Sequence, residues 1–196
     1  NPQEIRHALN QGIATEFVKE LAEMEAFKQA TDNIIRSDRM QDRDFTNRFL
    51  SFYLLELEKY NGDLDATLSE TLFKINENDH LQAVLPKIKS RFEAAMNAAY
   101  QIFGNDAFRK RTDPDDSRKP INKALFDSMS VGFSKLSPED LQTLVDKGAI
   151  FKQALMDRSN EDARFWRSIS TATGDRSNLI YRFITIQELI QETLQA

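Results

Sequence analysis

Leu81-Gln82-Ala83-Val84-Leu85-Pro86-Lys87-Ile88-Lys89-Ser90-Arg91-Phe92-Glu93-Ala94-Ala95-Met96-Asn97-Ala98-Ala99-Tyr100-Gln101-Ile102-Phe103 is the stretch that decides the fold class. Leu81, Val84, Leu85, Ile88, Phe92, Met96, Ala99 and Phe103 recur at intervals of three and four for about six helical turns, whereas a strand would alternate apolar and polar residues. Pro86 lies five residues inside this stretch, and proline both lacks an N–H and collides with the preceding turn. The helix is therefore expected to begin near Leu85.

The same period extends in both directions. Upstream, Asn1-Pro2-Gln3-Glu4 combines a capping residue, a proline at the first helical position and an early carboxylate, the signature of a helix start. That helix is expected to be interrupted at Gly12. Ile13, Phe17, Leu21 and Met24 form the apolar stripe of the next helix. From Asp42 to about Tyr60, Phe45, Phe49, Phe52 and Tyr53 line one side and Leu54, Leu55 and Leu57 broaden it, which predicts a central, buried helix. Asn61-Gly62-Asp63 signals a turn, and a shorter helix follows through Leu64, Leu68, Leu72 and Ile75. Downstream, helices are expected over 122–135, 137–157, 161–170 and 178–195. The clearest boundary is Ser137-Pro138-Glu139-Asp140, a cap, a proline and two early carboxylates. No alternating strand pattern and no internal repeat is present. The fold expected is all-α, an irregular bundle of about eight to nine helices. Residues 1–104 and 122–196 would form two helical lobes packed as one domain, divided by a charged, proline-punctuated loop at 105–121.

Composition narrows the function classes. The chain of 196 residues is 40% hydrophobic and 29% charged, which suits a folded globular domain. Its formal charge of −5 opposes a surface that is basic throughout. The sequence has no cysteine, and His7 and His80 are far apart, each without a partner at ligand spacing, so neither thiolate chemistry nor a zinc site is expected. No stretch approaches the length of a membrane span and no signal peptide opens the chain, which points to the cytoplasm. The chain opens on Asn1 and reads as a segment cut from a larger protein. Phosphate loops, dinucleotide fingerprints, metalloprotease helices and nucleophile elbows are all missing. No catalytic residue, metal site or cofactor is expected in this segment.

Two basic clusters are candidates for phosphate or DNA contact. Arg39, Arg43 and Arg48 stand at a loop-to-helix junction, where forked guanidinium donors and a helix N-terminus favour an anion. The plainer reading is that Asp42 caps the helix and these arginines make structural ion pairs. Arg109, Lys110 and Arg111 lie in the 105–121 loop with Arg118 and Lys119, but Asp106, Asp113, Asp115 and Asp116 nearly cancel them, and a solvated or mobile loop is the simpler expectation. Thr171, Thr173, Asp175, Arg176, Ser177 and Arg182 form a polar group that turn formation and capping explain. Trp166 is expected to plug the core.

Several stretches together resemble one family. They are Asn1-Pro2-Gln3-Glu4-Ile5-Arg6 with Ala8-Leu9; Arg39-Met40-x-Asp42-Arg43-Asp44-Phe45-x-x-Arg48-Phe49-Leu50-x-Phe52-Tyr53; and Tyr60-x-Gly62-Asp63-Leu64. Pro120 to Asp127, Ile169-Ser170-x-Ala172-Thr173 and Tyr181-Arg182-Phe183 continue the series. This set resembles the helical region of GmrSD-type restriction proteins, whose N-terminal domain has a ParB/sulfiredoxin-like fold. The resemblance implies a role in restricting foreign DNA such as phage, with this segment as helical companion to an upstream nuclease or nucleotidase domain. That family's Asp-Gly-Gln-Gln-Arg signature and its H-N-H nuclease domain have no counterpart among these residues, so no catalytic residue carries over. The rival reading is a helical interaction module that makes a homo-oligomer or docks a partner without nucleic acid.

Overall fold

A computed structural model describes all of residues 1–196. Eleven α-helices follow in order: α1 (Pro2–Leu9), α2 (Ile13–Glu23), α3 (Glu25–Ala30), α4 (Gln41–Leu54), α5 (Leu64–Asn76), α6 (Asp79–Phe103), α7 (Lys123–Ser134), α8 (Pro138–Asp146), α9 (Gly148–Glu161), α10 (Ala163–Ser170) and α11 (Arg176–Gln195). There is no strand, only one isolated antiparallel bridge between Arg109 and Ile121. No helix is long and apolar enough to cross a membrane.

Capping side chains set most of the helix starts. Asn1, Asp63, Asn78, Asn122, Ser137, Asp162 and Asp175 each accept a hydrogen bond from a first-turn N–H, which satisfies donors that the helix itself leaves unpaired. Asn1 and Glu4 close a full capping box.

The helix count exceeds the eight to nine expected for local reasons. The element α3 continues the chain past Met24, whose extended backbone separates it from α2. The expected 137–157 helix is two, broken at Lys147, because Gly148 lets α9 approach α6 closely: a Cβ there would lie 3.2 Å from Ile102 Cγ1. Another departure is at α6, which starts at Asp79 rather than near Leu85 and carries Pro86 inside it. The Asn78 cap anchors its first turn, and Gln82 Nε2 donates to the carbonyls of Ile75 and Asn76. Pro86 falls on an exposed face, clear of the core. The central helix α4 ends at Leu54 instead of reaching Tyr60. Leu55 and Glu56 turn extended, and a single 3₁₀ turn at Leu57–Lys59 carries Tyr60 against Phe52, ring centroids 6.1 Å apart.

Apolar side chains from both sides of the 105–121 loop join in one cluster of 40 buried residues. Its aromatic centre links α3, α4, α6 and α7. The Phe49 and Phe92 centroids are 4.5 Å apart, and Phe126 stands 5.0 Å from Phe45 and 6.0 Å from Phe27. The loop adds to this centre through Phe108, 5.0 Å from Phe126 and fully buried.

At the α1–α2 turn, Gly12 has φ 149°, and a Cβ there would lie 2.8 Å from Oδ1 of Asn76. That oxygen cannot move freely, because Asn76 accepts from Ala14 N at 2.9 Å and donates to the Asn10 carbonyl at 3.1 Å. Gly12→Ala is expected to destabilise the protein by about 1–3 kcal/mol in urea unfolding. A change within about 0.5 kcal/mol would mean that the Asn76 clamp yields without cost.

Candidate functional site

Polar residues are buried where the apolar pattern would place hydrophobic ones. Helix α1 is inverted: Gln3 and Arg6 face inward while Ile5 and Leu9 are exposed. Arg6 donates from Nη2 to Asp44 at 2.9 Å, from Nη1 to Asp65 at 2.6 Å and from Nε to Gln3 Oε1 at 3.1 Å, so it ties α1 to α4 and α5. Asn47 Nδ2 also donates to Gln3 Oε1, at 3.3 Å. Lys123, at the start of α7, donates to the second oxygen of Asp44 at 2.7 Å and lies 5.4 Å from the Phe45 ring centroid.

One layer deeper, Asp127 is fully buried on α7 and receives two arginines. Arg48 grips it with a fork, from Nε to Oδ1 at 2.8 Å and from Nη2 to Oδ2. Arg182 of α11, also fully buried, reaches Oδ2 at 3.4 Å. Its other terminal nitrogen donates to the carbonyl of Thr173 at 2.6 Å, and its Nε has no partner. This geometry divides the two guanidinium groups electrically. Burial alone would weaken the charge of Arg48, but the closely held Asp127 more than offsets it and raises the pKa. For Arg182 burial prevails over the longer contact with Asp127 and lowers the pKa to about 10, which still leaves it charged at neutral pH. Tyr60 closes this layer by donating to the carbonyl of Gly174 at 2.7 Å; burial raises its pKa, and Arg182 and Arg48 partly oppose the rise.

Above this network a cavity of about 280 Å³ opens between α1, the N-terminal turn of α4, α5 and the start of α7. Gln3, Arg6, Asp44, Arg48, Asp65 and Lys123 contribute its polar wall. Its rim includes Met40 and Gln41. Arg39 and Met40 are consecutive non-glycine residues in the left-handed region, at φ 55° and 56°, a conformation that costs about 1–2 kcal/mol per residue. No side chain caps the helix they introduce.

At this junction Arg48 and Arg39 make ion pairs of the kind the plainer reading describes, and Arg43 does not. Arg48 belongs to the Asp127 pair and the cavity wall. Arg39 is exposed, 3.7 Å from Glu4, and Arg43 is half-buried with no carboxylate within ion-pair distance. Asp42 does not cap α4 as expected: its carboxylate accepts from Arg43 N, and Met40 occupies the cap position.

The second basic cluster is brought together, but around its own loop. Arg109 is buried and donates to the carbonyls of Asn105 and Lys119, with Asp32 at 3.4 Å. Burial, reinforced by Arg118, lowers its pKa. Arg111 donates to the Asp116 carbonyl and to Asp106 at 2.6 Å. Lys110 sits 4.9 Å from the ring centroid of the half-buried Trp166. The 105–121 segment is therefore pinned by its own cations, which bond its backbone, while Asp113 to Asp115 and Ser117 to Pro120 remain exposed to solvent. Asp116 holds the Thr112 end: the backbone N–H and hydroxyl of Thr112 both donate to it and hold its carboxyl below the usual range. A depressed carboxyl contributes stability above the unfolded value and loses it as pH falls through the folded one. Trp166 emission is accordingly expected to shift to the red below about pH 4 as the loop loosens. Emission independent of pH down to about 3 would contradict that role for Asp116.

Reasoning from local sequence missed Gln3, Arg6, Lys123 and Asp127 as site residues, and it placed Arg182 only in the polar group of the 171–182 turn. Two of them left a local signal: Asp127 is the one charge amid the apolar residues of α7 beyond its first turn, and Arg182 lies three residues after Leu179 and four before Ile186, on the buried stripe of α11. Compared with known proteins, the chain matches no family model, no curated protein and no solved structure.

Proposed function

We propose that this chain is a non-catalytic helical domain of a GmrSD-like bacterial restriction protein, acting in the cytoplasm beside an upstream ParB-like nuclease or nucleotidase domain. One observation supports the reading. Residues from the separate stretches that carry the resemblance, Arg6, Asp44, Arg48, Tyr60, Asp127 and Arg182, meet in adjoining polar layers although up to 176 positions separate them in sequence. Their shared role is to lock α1, α4, α7 and α11 into one rigid support. Any DNA contact falls to Arg39, Arg43 and Lys110, since Arg48, Arg109 and Arg111 are committed to internal partners.

Two experiments test this. The coding sequence upstream of Asn1 is expected to specify Asp-Gly-Gln-Gln-Arg on a ParB-like domain; a different domain there would remove the family assignment. The isolated segment should hydrolyse neither NTPs nor phosphodiesters, and turnover above a buffer blank would refute the non-catalytic part.

The exposed apolar side of α1 favours a second reading, a protein-interaction module. Leu9 is 78% exposed and Ile5 61%, unusual for a helix that buries its polar residues. DNA binding that weakens with salt and is lost on Arg39, Arg43 and Lys110→Ala favours the first reading. Absence of DNA binding, with self-association that Leu9→Ser abolishes, favours the second.

A further inference from the structure

We propose that Asn61 is a self-modification site, where the Gly62 backbone nitrogen closes on the Asn61 side chain, releases ammonia and, after hydrolysis, leaves an isoaspartate that slackens the turn before α5. This proposal stands apart from the family reading. Of all the asparagines in the chain, only Asn61 precedes a glycine. Ring closure needs that neighbour, because a Cβ on the attacking residue would crowd the approach to the side-chain carbonyl. Asn61, Gly62 and Asp63 are all exposed. Gly62 sits at φ 96°, and a Cβ built there would find its nearest neighbours only at 3.9 Å, on Arg176, so the turn has open space on that side.

Two features of the turn favour the reaction. Oδ1 of Asn61 accepts from the Asp63 N–H at 2.9 Å, and the ring closed by this bond contains both reacting atoms, Asn61 Cγ and Gly62 N. The same N–H lies where negative charge develops on Oδ1 as Cγ becomes tetrahedral, which is the task of an oxyanion donor. In addition, neither the Gly62 N–H nor Nδ2 of Asn61 has a hydrogen-bond partner in the protein, so the first is free to lose its proton to solvent and the second to depart. The bond from Gly62 N to Cγ forms, the bond from Cγ to Nδ2 breaks, and the proton given up by Gly62 is balanced by the one the departing ammonia takes. Water then opens the succinimide. Attack at the main-chain carbonyl of residue 61 gives isoaspartate, with the chain routed through Cβ and Cγ, and attack at Cγ gives aspartate. The isoaspartate adds a carbon to the main chain between Tyr60, whose hydroxyl donates to the Gly174 carbonyl at 2.7 Å, and Asp63, which caps α5. Arg176 grips the same turn, from Nε to the Tyr60 carbonyl at 2.6 Å and from Nη2 to the Glu58 carbonyl at 2.9 Å. A longer chain there should loosen the tie to α11.

The test incubates the folded protein at mildly alkaline pH and follows each asparagine by peptide mapping and mass spectrometry, beside the same chain unfolded in guanidinium chloride. Asn61 is expected to exchange its amide for a carboxylate at least as fast in the folded protein as in the unfolded chain, with isoaspartate among the products. Asn78 is the internal control: it is also exposed, and its Oδ1 accepts from the Leu81 N–H at 3.1 Å, but Asp79 follows it. It should keep its amide. Asn61→Gln, which would need a larger ring, should lose the reaction and keep the parent's urea midpoint. The isoaspartate form, separated by ion exchange, should unfold at lower urea than the parent. An intact Asn61 in the folded protein while the unfolded chain reacts would overturn the proposal. So would reaction of Asn78 at the rate of Asn61, or an isoaspartate form with an unaltered urea midpoint.

Discussion

Asp127→Ala is expected to cost about 3–5 kcal/mol in urea unfolding at neutral pH, because it strands two buried guanidinium groups on one missing carboxylate. Domains of this size are stable by only about 5–15 kcal/mol, so the variant should lose a large share of its margin against unfolding. Asp127→Asn keeps the shape but removes the charge and turns one oxygen into a donor that faces an arginine, so it should fare little better. The informative control replaces the whole group with apolar residues, Arg48→Met, Asp127→Leu and Arg182→Met together. Buried ion networks replaced by packed hydrophobic residues are often neutral or stabilising, and the triple variant should regain most of what Asp127→Ala loses. A cost below about 1 kcal/mol for Asp127→Ala would show that water reaches these charges. That outcome would remove the polar layer from its place as the lock between α4, α7 and α11.

Phe126→Ala is expected to cost about 3–5 kcal/mol, the range for truncating a fully buried aromatic residue. Its ring lies within 6.0 Å of the Phe27, Phe45 and Phe108 centroids, so one truncation opens a void at the meeting of α3, α4, α7 and the 105–121 loop. The way it unfolds is more telling than the magnitude. Trp166 belongs to the C-terminal half, whereas far-ultraviolet circular dichroism reports every helix. With one shared core, the wild type and the variant should each show a single transition in which the two signals coincide. Two separable transitions, with only one displaced by Phe126→Ala, would show that the two halves fold independently.

Much of the architecture was legible locally. Periodicity and capping chemistry placed α1, α2, α5, α7, α10 and α11 close to their observed limits, because a cap and an apolar stripe are satisfied within a few residues of themselves. The misplaced limits are those that distant contacts decide. The end of α4 depends on bringing Tyr60 to Gly174, the break between α8 and α9 on the approach of Gly148 to Ile102, and the early start of α6 on Gln82 bonding the end of α5. Proline and leucine content cannot convey any of these.

The candidate site was less legible still. Arg39, Arg43 and Arg48 are neighbours in sequence, yet the fold sends one to solvent, leaves one half-buried and buries the third against a carboxylate 79 positions away. In sequence Arg109 and Arg111 stand among four aspartates that nearly cancel them, yet it is the loop's own carbonyls that take donors from both. A cation's availability depends on what surrounds it, and composition is silent on that. By itself, then, the sequence determined that this protein is helical, where most helices start and which side chains are too apolar to remain in water, since those follow from local hydrogen bonding and transfer from water. Only the tertiary structure decided which charges cancel and which buried donors are left without an acceptor, because pairing energies depend on distances that no local pattern encodes.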